Sequence, residues 1–159
     1  MLIINDDLFE KEKIIKLSGD DNWASHDSVL LTKCALDSLK SLMNQNTDHQ
    51  SIILIIDCEK GTLPPIKIGI EIAKKFFDLK STISQNVDFS ILYAKTEESK
   101  QWIDKILSVY TPVRPLYFLE HKSDIKKALK LSKRGAGIDH TKDILSQLSV
   151  LDDTVSVKN

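Results

Sequence analysis

Cysteine, glycine and proline are scarce in this chain of 159 residues, which contains two, five and four of them respectively. Two cysteines, Cys34 and Cys58, provide neither a disulfide framework nor a pair of metal ligands. We therefore expect both to be buried, reduced thiols, as in a cytoplasmic protein. The first residues lack the charged start and apolar core of a signal peptide. No apolar run approaches the roughly 18 residues of a membrane-spanning helix, so no transmembrane segment is predicted.

An excess of one charge is also missing. The 22 basic and 23 acidic residues leave a net charge of −1. Proteins that bind nucleic acids or anionic membranes usually carry a basic surplus on one face. The balance therefore predicts no nucleic-acid partner. A local basic cluster is interpreted as a solvated helix face, and it consists of Lys126, Lys127, Lys130, Lys133 and Arg134.

Catalytic motifs are lacking as well. The five glycines are scattered, which excludes a glycine-rich phosphate loop, and no G-x-S-x-G nucleophile elbow occurs. The four histidines contain no i, i+4 pair that would hold a metal ion on a helix face; they are His26, His49, His121 and His140. We therefore predict that the protein is not an enzyme and that it has no metal and no cofactor.

What the chain does contain is one organising segment, residues 51–77. A run of β-branched and aliphatic residues at 52–56 ends on Asp57 and is typical of a strand that is covered on both faces in a parallel sheet. A polar turn with Gly61 follows, and Pro65 suits the first position of a helix.

The residues after Pro65 allow two interpretations. Residues 66–72 alternate as a strand would, yet the length of the segment and its proline pair favour a helix up to Phe77. Such a helix would carry two apolar stripes. One consists of Ile66, Ile70, Ala73 and Phe77, and the other of Ile68, Ile72 and Phe76.

Strands and helices alternate around this segment. Residues 1–5 and 13–17 are predicted to pair as a hairpin across a polar link at 6–12. Further strands are predicted at 87–93 and 114–119, further helices at 27–44, 96–107 and 125–131, and a second polar link at 81–86. The helix at 27–44 is expected to bury Leu31, Ala35, Leu39 and Leu42, flanked by Leu30 and Cys34.

This order predicts an α/β domain over residues 1–132. Its sheet would have four to five mostly parallel strands, with about four helices packed against it. A tail at 133–159 would follow, with a short amphipathic helix at 143–151.

Polar loops are expected to meet at one edge of the sheet. In parallel sheets the carboxyl ends of the strands lie together, and ligands bind there. The loops concerned hold Asp20, Asp21, Trp23 and His26, then the Gly61 turn, then Lys95 and Thr96. One hypothesis is that these side chains form a metal or acid–base site. The simpler alternative is that they are solvated loop residues and helix caps.

Several segments together resemble a known family. They are residues 15–20 (I-K-L-S-G-D), residues 54–57 (L-I-I-D) with Gly61 after them, residues 89–93 (F-S-I-L-Y) and residues 118–128. Their order and spacing resemble the STAS family, named for sulfate transporters and bacterial anti-sigma-factor antagonists, over about residues 14–131. The resemblance implies a STAS-like fold and a regulatory, protein-binding role.

One departure from that family concerns its phosphorylation switch. The bacterial regulators carry a phosphorylatable serine at the start of the helix that follows this turn. Here residues 62–67 read T-L-P-P-I-K, without a serine, and Pro65 removes a backbone donor. The switch is therefore not carried over, and Thr62 is expected to cap or close the turn.

A second resemblance uses the same stretch. Asp57, Gly61 and the pair Pro64-Pro65 are similar to the pattern of CRAL-TRIO domains, which bind lipids in an apolar pocket. Those domains normally add an N-terminal helical lobe and a lid helix, for which this chain has no room. A small domain that binds lipids or other hydrophobic ligands is therefore the alternative function.

The predicted function is a non-catalytic protein-binding or regulatory module, with another protein or a second copy of the chain as its partner. Trp23, in a loop, is the better candidate for a binding anchor, and Trp102 is expected to belong to the core. An exposed stripe of Ile68, Ile72 and Phe76 would mark an interface. The candidate partner-binding residues are Asp20, Asp21, Trp23, His26, Gly61, Thr62, Lys67, Ile68, Ile72, Lys95 and Thr96.

Overall fold

The computed structural model describes residues 1–24, 27–47, 49, 52–124 and 127. The chain divides into two units, Met1–Phe118 and Leu119–Asn159. The predicted helix at 125–131, apart from Lys127, and the predicted tail at 133–159 lie outside the described residues.

Strands and helices alternate along the described chain, as expected. The elements are β1 Leu2–Asn5, α1 Phe9–Glu12, β2 Ile14–Gly19, α2 Ser28–Asn44, β3 Ile52–Asp57, α3 Ile66–Asp78, α4 Lys80–Asn86, β4 Val87–Tyr93, α5 Glu97–Leu107 and β5 Leu116–Leu119. They form one five-stranded sheet in the order β1-β2-β3-β4-β5. The prediction of an α/β fold is confirmed.

The centre of the sheet is β3. It pairs in parallel with β2 on one side and with β4 on the other, while β1 pairs antiparallel with β2 as the predicted hairpin. The side chains of Ile52 and Leu54 are no more than 2 % exposed, and those of Ile53 and Ile55 no more than 5 %. Both faces of β3 are therefore covered, as its uninterrupted apolar run predicts.

One core cluster joins the sheet to α2, to α4 and to the residue before α4. Ile15, Leu17 and Leu54 come from the strands, and they meet a set of helical and loop side chains that includes Leu36, Leu39, Met43, Leu79 and Ile83. Each of these aliphatic side chains contributes roughly 1.5–3 kcal/mol through its burial.

Helix α2 buries a different face from the predicted one. Its buried residues are Ser28, Thr32, Leu36, Leu39 and Met43. Leu39 is buried as predicted, and Leu42 is half-buried and packs against the core. Leu30 is 61 % exposed, Leu31 is 43 % exposed and Cys34 is also exposed, so this part of the predicted face is wrong.

Polar bonds explain this rotation. The Ser28 hydroxyl donates to the carbonyl of Trp23 at 3.1 Å, and the Leu2 amide donates to the Thr32 hydroxyl at 3.4 Å. Both hydroxyl side chains can therefore be buried, whereas a hydrophobicity pattern assigns serine and threonine to the solvent side.

Helix α3 confirms the helical interpretation of the segment after the prolines. It begins at Ile66, and the Gly69 amide donates to the Pro65 carbonyl at 3.0 Å. Its buried residues are Gly69 and Ala73, and Phe77 from the first predicted stripe is 53 % exposed.

Two short helices were not predicted. Helix α1 lies in the link at 6–12 and buries Phe9, and helix α4 lies in the link at 81–86 and buries Ile83 and Asn86. Both are too short to show a helical period in sequence, and their stability comes from tertiary packing. None of the helices in the described part of the chain has the length and apolarity that crossing a lipid bilayer demands.

The buried face of α2 can be tested with a matched pair of substitutions. Leu36→Ala should lower the free energy of unfolding by about 2–4 kcal/mol, because Leu36 is 3 % exposed and its loss opens a cavity. Leu30→Ala removes the same atoms from a side chain that is 61 % exposed, and it should cost less than about 0.5 kcal/mol. Urea denaturation measures both, and equal losses would show that the assigned face is wrong.

Candidate functional site

A cavity of about 140 Å³ lies within the first unit, between α3, α5 and the sheet. Its floor includes Leu54, Ile56 and Leu92 from β3 and β4, and its helical wall includes Ile72, Phe76 and Trp102. The lining is predominantly aliphatic and aromatic. This composition is typical of a pocket for an apolar group rather than of a site for charged substrates.

Small residues on α3 face this cavity. Ala73 is 5 % exposed and lines it, and Gly69 does so too. A Cβ atom on Gly69 would lie 2.6 Å from Cζ2 of Trp102, so the absence of a side chain lets the indole ring pack against the helix backbone. The methyl group of Ala73 leaves space between helix and sheet that a longer aliphatic side chain would fill.

The two tryptophans hold the loop between β3 and α3. The Trp23 indole N–H donates to the Thr62 carbonyl at 2.8 Å, and the Trp102 indole N–H donates to the Pro64 carbonyl at 2.8 Å. Both rings also line the cavity. Trp23 is only 6 % exposed, and Trp102 is half-buried. Both bonds satisfy indole donors that burial would otherwise leave unpaired.

Gly61 allows the loop after β3 to pass close to β2. Its φ of 76° lies in the left-handed region, and a Cβ atom there would lie 2.1 Å from the Gly19 carbonyl oxygen. Only glycine fits both conditions. The Thr62 hydroxyl donates to the Asp20 carbonyl at 3.2 Å, so this loop meets the loop after β2 as expected.

Glu59 joins the same loop to α5, a role that sequence reasoning missed. One of its carboxylate oxygens accepts from the Lys95 amide at 2.7 Å, the Thr96 amide at 2.9 Å and the Thr96 hydroxyl at 3.2 Å. Burial by itself would raise the pKa of Glu59, but these bonds, with help from the Ser99 hydroxyl, outweigh it and lower that pKa. The only signal in the sequence is an acidic residue two positions after a strand, which many surface loops share.

Most of the remaining predicted site residues belong to the loop edge or to the surface. Asp20 pairs with the N-terminal ammonium group and accepts from the Asn22 amide at 3.0 Å, and these contacts lower its pKa. Asp21, Lys67 and Lys95 are exposed. His26 lies outside the described residues. Within the described ranges no three potential metal-ligating side chains lie close enough together to hold an ion.

The predicted exposed stripe on α3 is largely turned inward. Ile72 and Phe76 line the cavity, and Ile68 is half-buried. The stripe of Ile68, Ile72 and Phe76 is therefore not an open docking face. Part of it forms the wall of a pocket that the sequence pattern did not indicate.

Cys58 also lines the cavity, and its surroundings make its thiol unreactive. Its side chain is 7 % exposed. Burial raises the pKa of Cys58 to about 12, with further contributions from the charges of Asp57 and Glu59. The Cys58 thiol therefore keeps its proton at neutral pH. Because only a thiolate acts as a nucleophile, the protonated thiol does not.

Comparison of the chain with protein-family models, with curated proteins and with solved structures gives no match. The interpretation of the site consequently depends on its geometry and chemistry.

The Glu59 contact predicts a pH-dependent contribution to stability. The lowered pKa means that this contribution is present above the carboxyl's unfolded-state pKa and is lost as the pH falls through the folded-state pKa. Glu59→Gln should lower the free energy of unfolding at pH 7 by about 1 kcal/mol, the usual worth of a helix N-terminal contact that solvent screens. The difference in unfolding free energy between the unaltered chain and Glu59→Gln should approach zero towards pH 3.

Denaturation of both proteins at pH 7, 5 and 3 measures this difference in unfolding free energy. Glu98→Gln is the matched control, since Glu98 is an exposed residue in the first turn of the same helix. If the stability difference between Glu59→Gln and the unaltered chain is the same at all three pH values, the role assigned to the Glu59 carboxylate is contradicted.

The two cysteines should differ in reactivity. Cys34 is exposed and Cys58 is buried, so a disulfide-exchange reagent at pH 8 should modify one thiol per chain in the native protein and two in denaturant. Cys34→Ser should abolish the native reaction. Modification of Cys58 in the native protein at the rate of Cys34 would refute the described environment of Cys58.

Proposed function

We propose that this domain is a non-catalytic binding module whose cavity takes up a small apolar molecule. The observation that carries the proposal is the cavity of about 140 Å³ between α3, α5 and the sheet. An apolar cavity of about 150 Å³ is large enough to bind benzene. The lining of aliphatic and aromatic side chains matches such a ligand.

The volume limits the ligand class. Pockets for drug-sized ligands are usually about 300–1,000 Å³, and this cavity is smaller. A single ring or a short aliphatic chain fits it, whereas a lipid with two long chains does not. The proposal therefore narrows the hydrophobic-ligand alternative to small molecules.

We also propose that the domain is related to the STAS family. The order of strands and helices supports this relationship, as does the turn between β3 and α3 with Gly61. The bond from the Thr62 hydroxyl to the Asp20 carbonyl favours a structural role for Thr62, in line with the missing phosphorylation switch. A cytoplasmic location fits the protonated, reduced state proposed for Cys58.

A regulatory interaction with another protein is the second candidate function. Three consecutive apolar residues at the start of α2 support it: Val29, Leu30 and Leu31 are 48 %, 61 % and 43 % exposed. Exposed apolar residues in a contiguous group are typical of protein interfaces. Ligand uptake in the cavity and a protein contact through α2 are compatible functions.

Toluene is a suitable probe for the cavity. We expect saturable binding with a dissociation constant on the order of 0.1–1 mM, which is reasonable for a ligand of this size. The indole N–H signals of Trp23 and Trp102 in NMR spectra should shift on binding, because both rings line the cavity. Toluene should also raise the melting temperature by mass action.

A cavity-filling variant makes the test specific. Ala73→Leu should abolish toluene binding, because the added carbons occupy the space next to α3. Lys74→Leu is the matched control, since it places the same side chain at an exposed position of the same helix and should leave binding unchanged. Toluene that fails to bind, or that binds Ala73→Leu as well as the unaltered chain, would overturn the proposal.

A further inference from the structure

The cavity has two ends, at opposite edges of the sheet. At the edge where β3 and β4 end, its lining includes Lys60 and Thr62 from the loop before α3. At the other end, its lining includes Tyr110, Pro112 and Val113 from the segment between α5 and β5. Helices α3 and α5 each follow a parallel strand and run back along the sheet, so they lie above the cavity between these two ends. A ligand could therefore enter at either end.

Hydrogen bonds hold the loop end of the cavity closed. Thr62 is bonded twice, because its carbonyl accepts from the Trp23 indole at 2.8 Å and its hydroxyl donates to the Asp20 carbonyl at 3.2 Å. The Pro64 carbonyl accepts from the Trp102 indole at 2.8 Å. Opening this end would break several of these bonds and leave indole donors without partners.

A segment of three residues, 111–113, lies at the other end between two fixed points. On one side of it, the Tyr110 amide donates to the Ile106 carbonyl at 3.0 Å. On the other side, Nε of Arg114 donates to the Val87 carbonyl at 2.8 Å. Val87 is the first residue of β4, so this segment lies near the edge of the sheet at which β4 begins. Residues 111–113 therefore span a short distance between an anchored helix end and an anchored arginine.

Residues 111–113 themselves are held by packing alone. Within the part of the chain that the structure describes, no hydrogen bond involves any of the three. Val113 lines the cavity and is 40 % exposed, so its side chain separates the cavity from solvent. The exposed lining residues at the loop end, Lys60 and Thr62, are polar. An apolar molecule passes an apolar side chain without desolvating polar groups, which favours the route at Val113.

We infer that residues 111–113 form a lid, and that the apolar ligand enters and leaves the cavity past Val113. Tyr110 and Arg114 keep their bonds when the lid opens, and the loop between β3 and α3 stays closed. This inference rests on the proposed function and adds the route by which the same site is filled. Because a lid is a barrier on the path to the site, blocking it slows association and dissociation by the same factor and leaves the dissociation constant unchanged.

A removable block at each end of the cavity tests this route. Cys34→Ser removes the exposed native thiol, and Cys58 is buried. In this background, Val113→Cys places one accessible thiol on the lid, and Lys60→Cys places one at the loop end. Glutathione attached to either thiol as a mixed disulfide is bulky and polar, so it obstructs an entrance without filling an apolar cavity.

Toluene is the probe. Titration gives its dissociation constant, and NMR relaxation dispersion of the Trp23 and Trp102 indole signals gives the rates of association and dissociation. Glutathione at residue 113 should slow both rates by at least about tenfold and leave the dissociation constant unchanged. Dithiothreitol, which removes the glutathione, should restore both rates. Glutathione at residue 60 is the matched control and should change neither rate by more than about twofold.

The outcomes separate this inference from the proposed function. If glutathione slows exchange from residue 60 and not from residue 113, or has the same effect at both positions, the lid is overturned and the apolar cavity remains a binding site. Weaker binding with glutathione at residue 113 and an unchanged dissociation rate also overturns the lid. If toluene does not bind the Cys34→Ser chain before any glutathione is attached, the proposed function fails as well.

Discussion

The parallel pairing of β3 on both of its edges is the constraint on which the rest of this structure depends. Because β2 and β4 run in the same direction as β3, the loops that follow all three strands emerge at one edge of the sheet. There they bond to one another, as Thr62 does to Asp20 and Glu59 to Thr96. The position of α3 and α5 above the sheet follows from these loops, and so does the cavity beneath the two helices.

The cavity of about 140 Å³ leaves apolar side chains of α3, α5 and the sheet without close packing partners on one side. Here Ala73 leaves the space open, while the indole bonds of Trp23 and Trp102 hold the adjoining loop. An apolar space whose surrounding residues are held in place is consistent with a ligand site. A bound ligand would supply the van der Waals contacts that the lining side chains lack.

Cys58 and Glu59, beside the cavity, have pKa values that their surroundings shift. Cys58 keeps its proton because of burial, and Glu59 is engaged in bonds to the start of α5. The predominantly apolar lining of the cavity is the basis for the proposed class of ligand.

The sequence by itself determined the order of the five strands and of the three longer helices, α2, α3 and α5, because signals such as the unbroken apolar run of β3 and the proline before α3 are local and later packing did not change them. The tertiary structure alone decided which face of α2 is buried, because hydrogen bonds within the fold accommodate Ser28 and Thr32 in the interior. It also decided the burial of Trp23 and the existence of the cavity. Both arise from contacts between residues far apart in the chain, such as Trp23 with Thr62 and Gly69 with Trp102, and no local period of the sequence encodes them.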